Sequence, residues 1–305
     1  MTKILVLYPT GWFTLSSLIL IRKPVQIYQD FNQVPKKFFP HIIAGAFFQL
    51  KKDCLQQIKE IISGQQNENL LFLDVFPGQS LSEIKILLSA KERMLLLEQL
   101  GAQACLSITD YEFRELLKSD IFSGSTDNAD IKWVCGLEKS GINPSGSSDF
   151  LYDSFSQGKN FLWHQQLGYL YPLTGKVVYG NKIGRTLGFP TANLRPDDSD
   201  KIVPPMGVYA GWVKHNGSWY KSMINIGIRP TLDLENVTIE AHIFDFSGNI
   251  YGQEISIHFQ TRIRDEMRFP SMEVLKSQLQ KDQKTALQLL DNKNMFSQMD
   301  KFIIL

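Results

Sequence analysis

The chain has 305 residues, 43% of them apolar, which supports a buried core and leaves room for two domains. Its 32 Lys and Arg against 31 Asp and Glu give a net charge of +1, so electrostatics make no case for nucleic acid or anionic membrane and the expected partners are small molecules. No apolar run is long enough to span a bilayer, and the first residues lack the charged, apolar and small-residue pattern of a cleaved leader, so a cytoplasmic location is expected.

In chain order, residues 4–7, 42–47, 70–75, 104–108 and 132–135 are short apolar runs with strand character. Helical patterns fall between them. Residues 82–100 carry Ile84, Leu87, Leu88, Leu95 and Leu96 at helical spacing, with Gly101 where a C-cap glycine belongs. Leu55, Ile58, Ile61 and Ile62 mark a second amphipathic helix before Gly64. Strand and helix in alternation predict an open parallel sheet of Rossmann-like α/β type over residues 1–150. Cys54, Cys105 and Cys135 are odd in number and widely spaced with no C-x-x-C pair, so buried thiols are expected rather than a disulfide framework or a zinc site.

Composition turns to loop around Pro144-Ser145-Gly146-Ser147-Ser148, and residues 151–171 read as a connector with Phe155, Phe161 and Trp163 on its apolar side. From residue 172 the pattern becomes β-rich. Residues 177–179, 208–213, 220–226, 237–246 and 250–259 read as strands, and Asn216-Gly217 and Ser247-Gly248-Asn249 as hairpin turns between them, which predicts a small antiparallel barrel. After Phe269-Pro270 a terminal helix is expected, capped by Ser271, with Leu275, Leu279, Ala286 and Leu290 on one face. This second domain covers residues 172–292, and 293–305 form a tail.

The chemistry concentrates in residues 180–193. Gly180, Gly184 and Gly188 let the backbone take positive φ and approach a ligand, and Lys182 and Arg185 add positive charge, so the stretch has the outline of a phosphate-cradling loop. Thr191 and Asn193 follow, two residues apart and hence on one face of an extended segment, where a hydroxyl and an amide oxygen suit a hard cation such as Mg²⁺. Farther on, Glu240 is a lone carboxylate in the apolar run 237–246, costly there unless paired or used. His242 shares its face and reads as a hydrogen-bonded structural residue, whereas Asp245 lies on the other face.

The string Gly184-Arg185-Thr186-Leu187-Gly188-Phe189-Pro190-Thr191-Ala192-Asn193 closely resembles the signature of riboflavin kinases, including the kinase half of bacterial bifunctional riboflavin kinase/FAD synthetases. Asn225-Ile226-Gly227-Ile228-Arg229-Pro230-Thr231, Ile250-Tyr251-Gly252-Gln253 and residues 261–269 extend that resemblance. It implies a six-stranded Greek-key barrel with MgATP under residues 180–188 and beside Tyr251. It also implies Mg²⁺ on Thr191 and Asn193, Glu240 as base toward the 5′-hydroxyl of riboflavin, and a flavin loop carrying Arg264, Met267 and Phe269. The implied activity is ATP-dependent phosphorylation of riboflavin to FMN.

The first half breaks the family pattern. Where the bifunctional enzymes carry G-x-F-D-G-x-H-x-G-H, this chain has Gly45-Ala46-Phe47-Phe48-Gln49-Leu50-Lys51-Lys52-Asp53-Cys54. Both histidine positions, held by Lys51 and Cys54, lack imidazole, and the later glycine positions hold Gln49 and Asp53. The Asp-Phe-x-Phe-Gly expected after Gly136 is Glu138-Lys139-Ser140-Gly141, and a Ser-Ser-x-x-Ile-Arg stretch is missing between Phe150 and Gly168. A riboflavin kinase with an inactive FAD synthetase half is therefore expected. The rival readings are the complete bifunctional enzyme and a non-catalytic flavin-binding regulator.

Overall fold

The computed structural model describes residues 5–8, 11–14, 26–28, 41–47, 50, 52–64, 70–76, 86–100, 102, 104–109, 111–114, 130–135, 137–138, 141–142, 167–180, 183–230 and 235–291. The chain divides into two compact units, Met1–Ser148 and Asp149–Leu305. Residues 151–166 of the proposed connector fall outside the described residues, as do the tail, Gly101 and the loop around Pro144.

In the first unit, β1 (Leu5–Tyr8) and β2 (Gly11–Thr14) pair with each other antiparallel. This corrects the expectation that the first run joins the parallel sheet. That sheet is built from β3 (Gln26–Tyr28), β4 (His41–Gly45), β5 (Leu70–Phe76), β6 (Ala104–Thr109) and β7 (Asp130–Val134), in the order β3-β6-β5-β4-β7. All of its pairings are parallel. Ile43, Ala44, Phe72, Leu73, Cys105 and Leu106 are essentially inaccessible, as strands covered on both faces should be. Two short strands, β8 (Leu137–Glu138) and β9 (Gly141–Ile142), follow as an antiparallel pair.

The longer described helices of this unit are α1 (Lys52–Gly64) and α2 (Ala90–Gln99). The helix expected over 82–100 begins only at residue 90, because Ser89 and Glu92 form a reciprocal capping box: Glu92 N donates to Ser89 Oγ at 3.4 Å and Ser89 N to Glu92 Oε2 at 2.9 Å. Arg93 on α2 donates to the buried Asp74 of β5 at 2.8 Å, which Ser107 of β6 also reaches at 2.9 Å.

The second unit is a closed barrel of six antiparallel strands: β10 (Tyr171–Val178), β11 (Ala192–Pro196), β12 (Gly207–His215), β13 (Ser218–Pro230), β14 (Glu235–Ile243) and β15 (Glu254–Arg264), in the order β10-β11-β14-β13-β12-β15. Closure comes from pairing of the first strand with the last, Tyr171 opposite Phe259 through Lys176 opposite Glu254. Tyr171, Tyr209, Phe259, Ile224, Ile226 and Ile257 are buried as the barrel's filling, with Tyr209 edge-on to Phe259 at 5.4 Å.

The turn at Asn216-Gly217 joins β12 and β13 with positive φ at both residues, 48° and 79°. The second expected hairpin, at 247–249, is a crossover instead: β14 pairs with β11 and β13, β15 with β10 and β12, so the strands on either side of it are not neighbours. The strand expected to start at 250 starts at Glu254, after a turn with Gly252 at φ 75°.

Between β10 and β11 lies α3 (Ile183–Leu187), a single helical turn where the sequence suggested open loop. The terminal helix α4 (Met272–Leu290) starts where Ser271 Oγ accepts from Val274 N at 3.4 Å. It lays Ala286 and Leu290 on a second apolar cluster with Val208, Trp212 and Met223 on the outer wall of the barrel. Among the described residues no helix is long and apolar enough to cross a membrane.

Candidate functional site

The strand register gathers the candidate residues. Asn193 on β11 lies directly opposite Glu240 on β14, Glu240 opposite Asn225 on β13, Asn225 opposite Val208 on β12, and Val208 opposite Arg264 on β15. Directly opposed residues of antiparallel strands project to the same face, so these five make one band. Alternate residues Ile239, Ala241, Ile224 and Ile226 are buried on the other face, which places the band on the outside of the barrel.

Thr191, just ahead of β11, donates its hydroxyl to Glu240 Oε2 at 3.0 Å. That hydrogen bond leaves the lone pairs of Thr191 Oγ1 available to an incoming group. Gly180, Arg185, Pro190, Thr191, Asn193 and Tyr251 line a small, polar, open cleft at the same place. At its edge Tyr251 stacks on Tyr179, centroids 4.2 Å apart, and Tyr179 is 73% exposed. The sequence reading passed over Tyr179; its signal was an aromatic immediately before the first glycine of the loop.

The three glycines do different work. A Cβ on Gly180 would fall 2.3 Å from the Asn193 amide nitrogen, and one on Gly184 2.2 Å from the Phe189 carbonyl oxygen, so both are needed for space. Only Gly188 of the three is left-handed, at φ 87°, where it ends α3 and turns the chain toward β11. The expectation that all three supply positive φ is corrected accordingly. Arg185 is exposed on α3 and lines the cleft, whereas Lys182 lies outside the described residues.

His242 sits two residues along β14 from Glu240, packed edge-on against Phe189 at 5.3 Å. Its Nδ1 donates to the Pro190 carbonyl oxygen at 2.8 Å. Burial pushes its pKa below the ordinary histidine value, partly countered by that hydrogen bond. A neutral ring tied to the loop backbone is a positioning element, as the sequence suggested.

In the segment that the resemblance assigns to the flavin, the structure gives Arg264 a partner that the sequence did not disclose. Its Nε and Nη2 donate to Asp282 Oδ2 of α4 at 2.9 and 2.7 Å, and Gln278 donates to Asp282 Oδ1 at 2.8 Å. The guanidinium lies over the Phe269 ring, 5.7 Å from its centroid. Asp282 is only 2% exposed, a buried carboxylate in a helix, and its polarity at an otherwise amphipathic position was the available clue. Met267 is 51% exposed at the loop's tip. The loop reaches the band itself through Glu266, whose Oε1 lies 2.2 Å from where a Cβ on Gly227 would stand.

In the first unit the strand order reverses between β4 and β7, which is where open α/β sheets bind ligands. The chain leaving β4 places Phe47, inaccessible to solvent, against Phe72 at 5.8 Å. Cys54 sits half-buried in the first turn of α1, hydrogen-bonded to Cys135 at the end of β7. No disulfide links the cysteines, in keeping with the sequence, although Cys54 is not fully buried. Phe48, Gln49 and Lys51 lie outside the described residues. Among the described residues no group of three or more His, Cys, Asp or Glu side chains is arranged to hold a metal.

Comparison with known proteins gives the geometry a family context. Residues 167–290 match the family model described as Flavokinase, riboflavin kinase. The bifunctional riboflavin kinase/FMN adenylyltransferase of Haemophilus influenzae is 46% identical over 121 residues, 39% of this chain and 39% of that protein. The protein of the same name from Bacillus subtilis is 39% identical over 149 residues, 48% of this chain and 47% of the relative. The matched stretch thus spans less than half the length of these relatives. The solved structure of a macrolide-efflux protein from Streptococcus pneumoniae superposes with a TM-score of 0.65 over 86% of this chain and 98% of that one, at 20% identity. That likeness concerns the fold alone.

Proposed function

With a second unit that belongs to the riboflavin kinase family, we propose that this chain transfers the γ-phosphate of ATP to the 5′-hydroxyl of riboflavin, giving FMN and ADP. The observation that carries this reading is the Thr191–Glu240 hydrogen bond at 3.0 Å on the edge of the cleft lined by Gly180, Arg185 and Tyr251. It joins the hydroxyl that would hold the cation to the one carboxylate of the band placed to act as a base.

In this reading the phosphates lie along Gly180, Gly184, Arg185 and Gly188, with Lys182 adding charge and Tyr251 beside the nucleotide. Thr191 Oγ1 and Asn193 Oδ1 are the oxygens that would hold Mg²⁺. The donor set fits: two neutral oxygens suit an ion whose other ligands are phosphate oxygens and water, and the missing side chain at Gly180 leaves the Asn193 amide its room. When bound, the ion neutralises phosphate charge as it builds up during transfer. Glu240 takes the proton of the 5′-hydroxyl as its oxygen bonds to the γ-phosphorus and the bond to ADP breaks. The Thr191 hydroxyl holds the carboxylate in the plane that this requires. Arg264, Met267 and Phe269 line the flavin side. The same residues disfavour a non-catalytic flavin-binding regulator, since a carrier has no use for a base beside a cation site.

The first unit, in this proposal, keeps a nucleotidyltransferase-like fold without adenylyl transfer. Lys51 and Cys54 stand where two imidazoles would steady the phosphates, and Gln49 and Asp53 where glycines would let the backbone close on them. The test uses the full chain with MgATP and riboflavin, and products separated by chromatography. FMN without FAD is expected, FAD formation would restore the bifunctional reading, and flavin binding without ATP consumption would favour the regulator. Glu240→Gln should lower kcat at least ~100-fold, the scale of a positioned base; an undiminished kcat removes Glu240 from that role.

A further inference from the structure

The band on the outer wall contains one polar side chain for which the reading above has no use. Asn225 of β13 stands directly opposite Glu240, on the side away from Asn193. Opposed residues have Cβ atoms about 4.5–5.5 Å apart, so a group held by Glu240 is within reach of the Asn225 carboxamide. Asn225 is half-buried between two fully buried isoleucines, Ile224 and Ile226, in mid-strand. Asparagine is disfavoured in such a position. Its carboxamide makes no hydrogen bond with any described residue, so the barrel does not explain it.

Its surroundings are those of a substrate wall. The neighbouring position on the same face is Gly227, and the space a side chain would take there is filled from the flavin loop: a Cβ would fall 2.2 Å from Glu266 Oε1 and 3.3 Å from Asn225 Nδ2. Asn225 therefore lies between the Glu240 carboxylate and the loop that carries Met267 and Phe269. A polyol running from a ring under that loop to a terminal hydroxyl at Glu240 would pass it.

We propose that Asn225 binds the acceptor, its carboxamide hydrogen-bonding the hydroxyl next to the one that is phosphorylated. The inference rests on the riboflavin kinase reading and adds a residue to it. A carboxamide both donates and accepts, so it serves a hydroxyl in either sense. Holding adjacent hydroxyls at Glu240 and Asn225 fixes the terminal carbon–carbon torsion and with it the line of attack on phosphorus. A site of this kind discriminates by the hydroxyl itself, because its own amide is left unpaired when that hydroxyl is missing.

The experiment compares the full-length wild type with Asn225→Ala and Asn225→Ser, using riboflavin and 4′-deoxyriboflavin, which lacks the hydroxyl adjacent to the reacting one. With riboflavin, Asn225→Ala should lower kcat/KM by roughly 5- to 10-fold, the upper part of the range for one hydrogen bond to a neutral partner, with KM for ATP unchanged. With the deoxy substrate, wild type and Asn225→Ala should differ by no more than about twofold, and Asn225→Ser should recover part of the loss with riboflavin, since its hydroxyl also hydrogen-bonds. Equal losses on both substrates, or none on riboflavin, would overturn the inference while leaving the kinase reading intact. If the wild type phosphorylates no flavin, the kinase reading itself fails. Quenching of riboflavin fluorescence then asks the binding question alone, and equal affinities of wild type and Asn225→Ala would overturn the role of Asn225 as well.

Discussion

Replacing Asp282 by alanine tests whether α4 is anchored to the end of β15. Asp282 is 2% exposed and accepts three charge-assisted or amide hydrogen bonds, at 2.9, 2.7 and 2.8 Å, two of them from Arg264, whose side chain is 16% exposed. Removing one partner of a buried ion pair costs about 3–5 kcal/mol because the other charge stays in place. Arg264 keeps some contact with water, so a discount to about 2–3 kcal/mol is appropriate. That cost falls on the docking of α4, and corresponds to roughly 30- to 150-fold faster amide exchange in its peptides when exchange proceeds through local opening. Hydrogen-exchange mass spectrometry on the intact chain reads this directly. The double variant Asp282→Leu/Arg264→Met should recover most of the protection, since two apolar side chains leave no stranded charge. An Asp282→Ala variant whose α4 exchanges within about threefold of wild type would show that the pair does not hold the helix, and the argument linking Arg264 to the helix would be wrong.

Two further outcomes follow from the barrel. His258 is fully buried with both ring nitrogens unpartnered and its pKa lowered well below the ordinary value, by burial first and then by Lys214 and Lys201. The unfolded chain thus binds the proton more readily, so stability falls as pH drops below about 6.5. Between pH 7.5 and 5.5, wild type should lose about 1.4 kcal/mol more than His258→Phe in denaturant titrations, one pH unit's worth of linkage; parallel pH profiles would contradict this. Gly180→Ala places a methyl 2.3 Å from the Asn193 amide, and should raise KM for MgATP at least ~10-fold, the cost of about 1.4 kcal/mol in binding, with KM for riboflavin little changed. An unchanged ATP KM would mean that Asn193 does not serve the nucleotide.

Much of the second unit was legible because its local chemistry agrees with its fold. Ser271 caps α4, and Asn216-Gly217 turns the chain between neighbouring strands. Residues 247–249 misled because turn-forming residues report that the chain bends, not which strand lies beside which; closure of the barrel decided that. Thr191, Asn193 and Glu240 could be picked out one by one, but only the register puts them on one face, 49 residues apart in sequence for the Thr191–Glu240 pair. Asp282 and Asn225 were not singled out, since each acquires its meaning from a residue on another element. In the first unit the apolar run at 82–88 overrode the Ser-x-x-Glu signal at 89–92, which a strict reading of capping chemistry would have preferred.

The row from Asn193 through Glu240 to Asn225 has a consequence for how this protein should be handled. Side chains along a strand alternate, so sliding β14 by a single position would swap Glu240 for Ile239 or Ala241 and blank out the wall. For the proposed phosphoryl transfer, turnover is therefore a stricter gauge of correct assembly than secondary-structure content. A preparation that keeps full helix and sheet signal but loses the turnover shown by other preparations of the same chain points to mispaired strands.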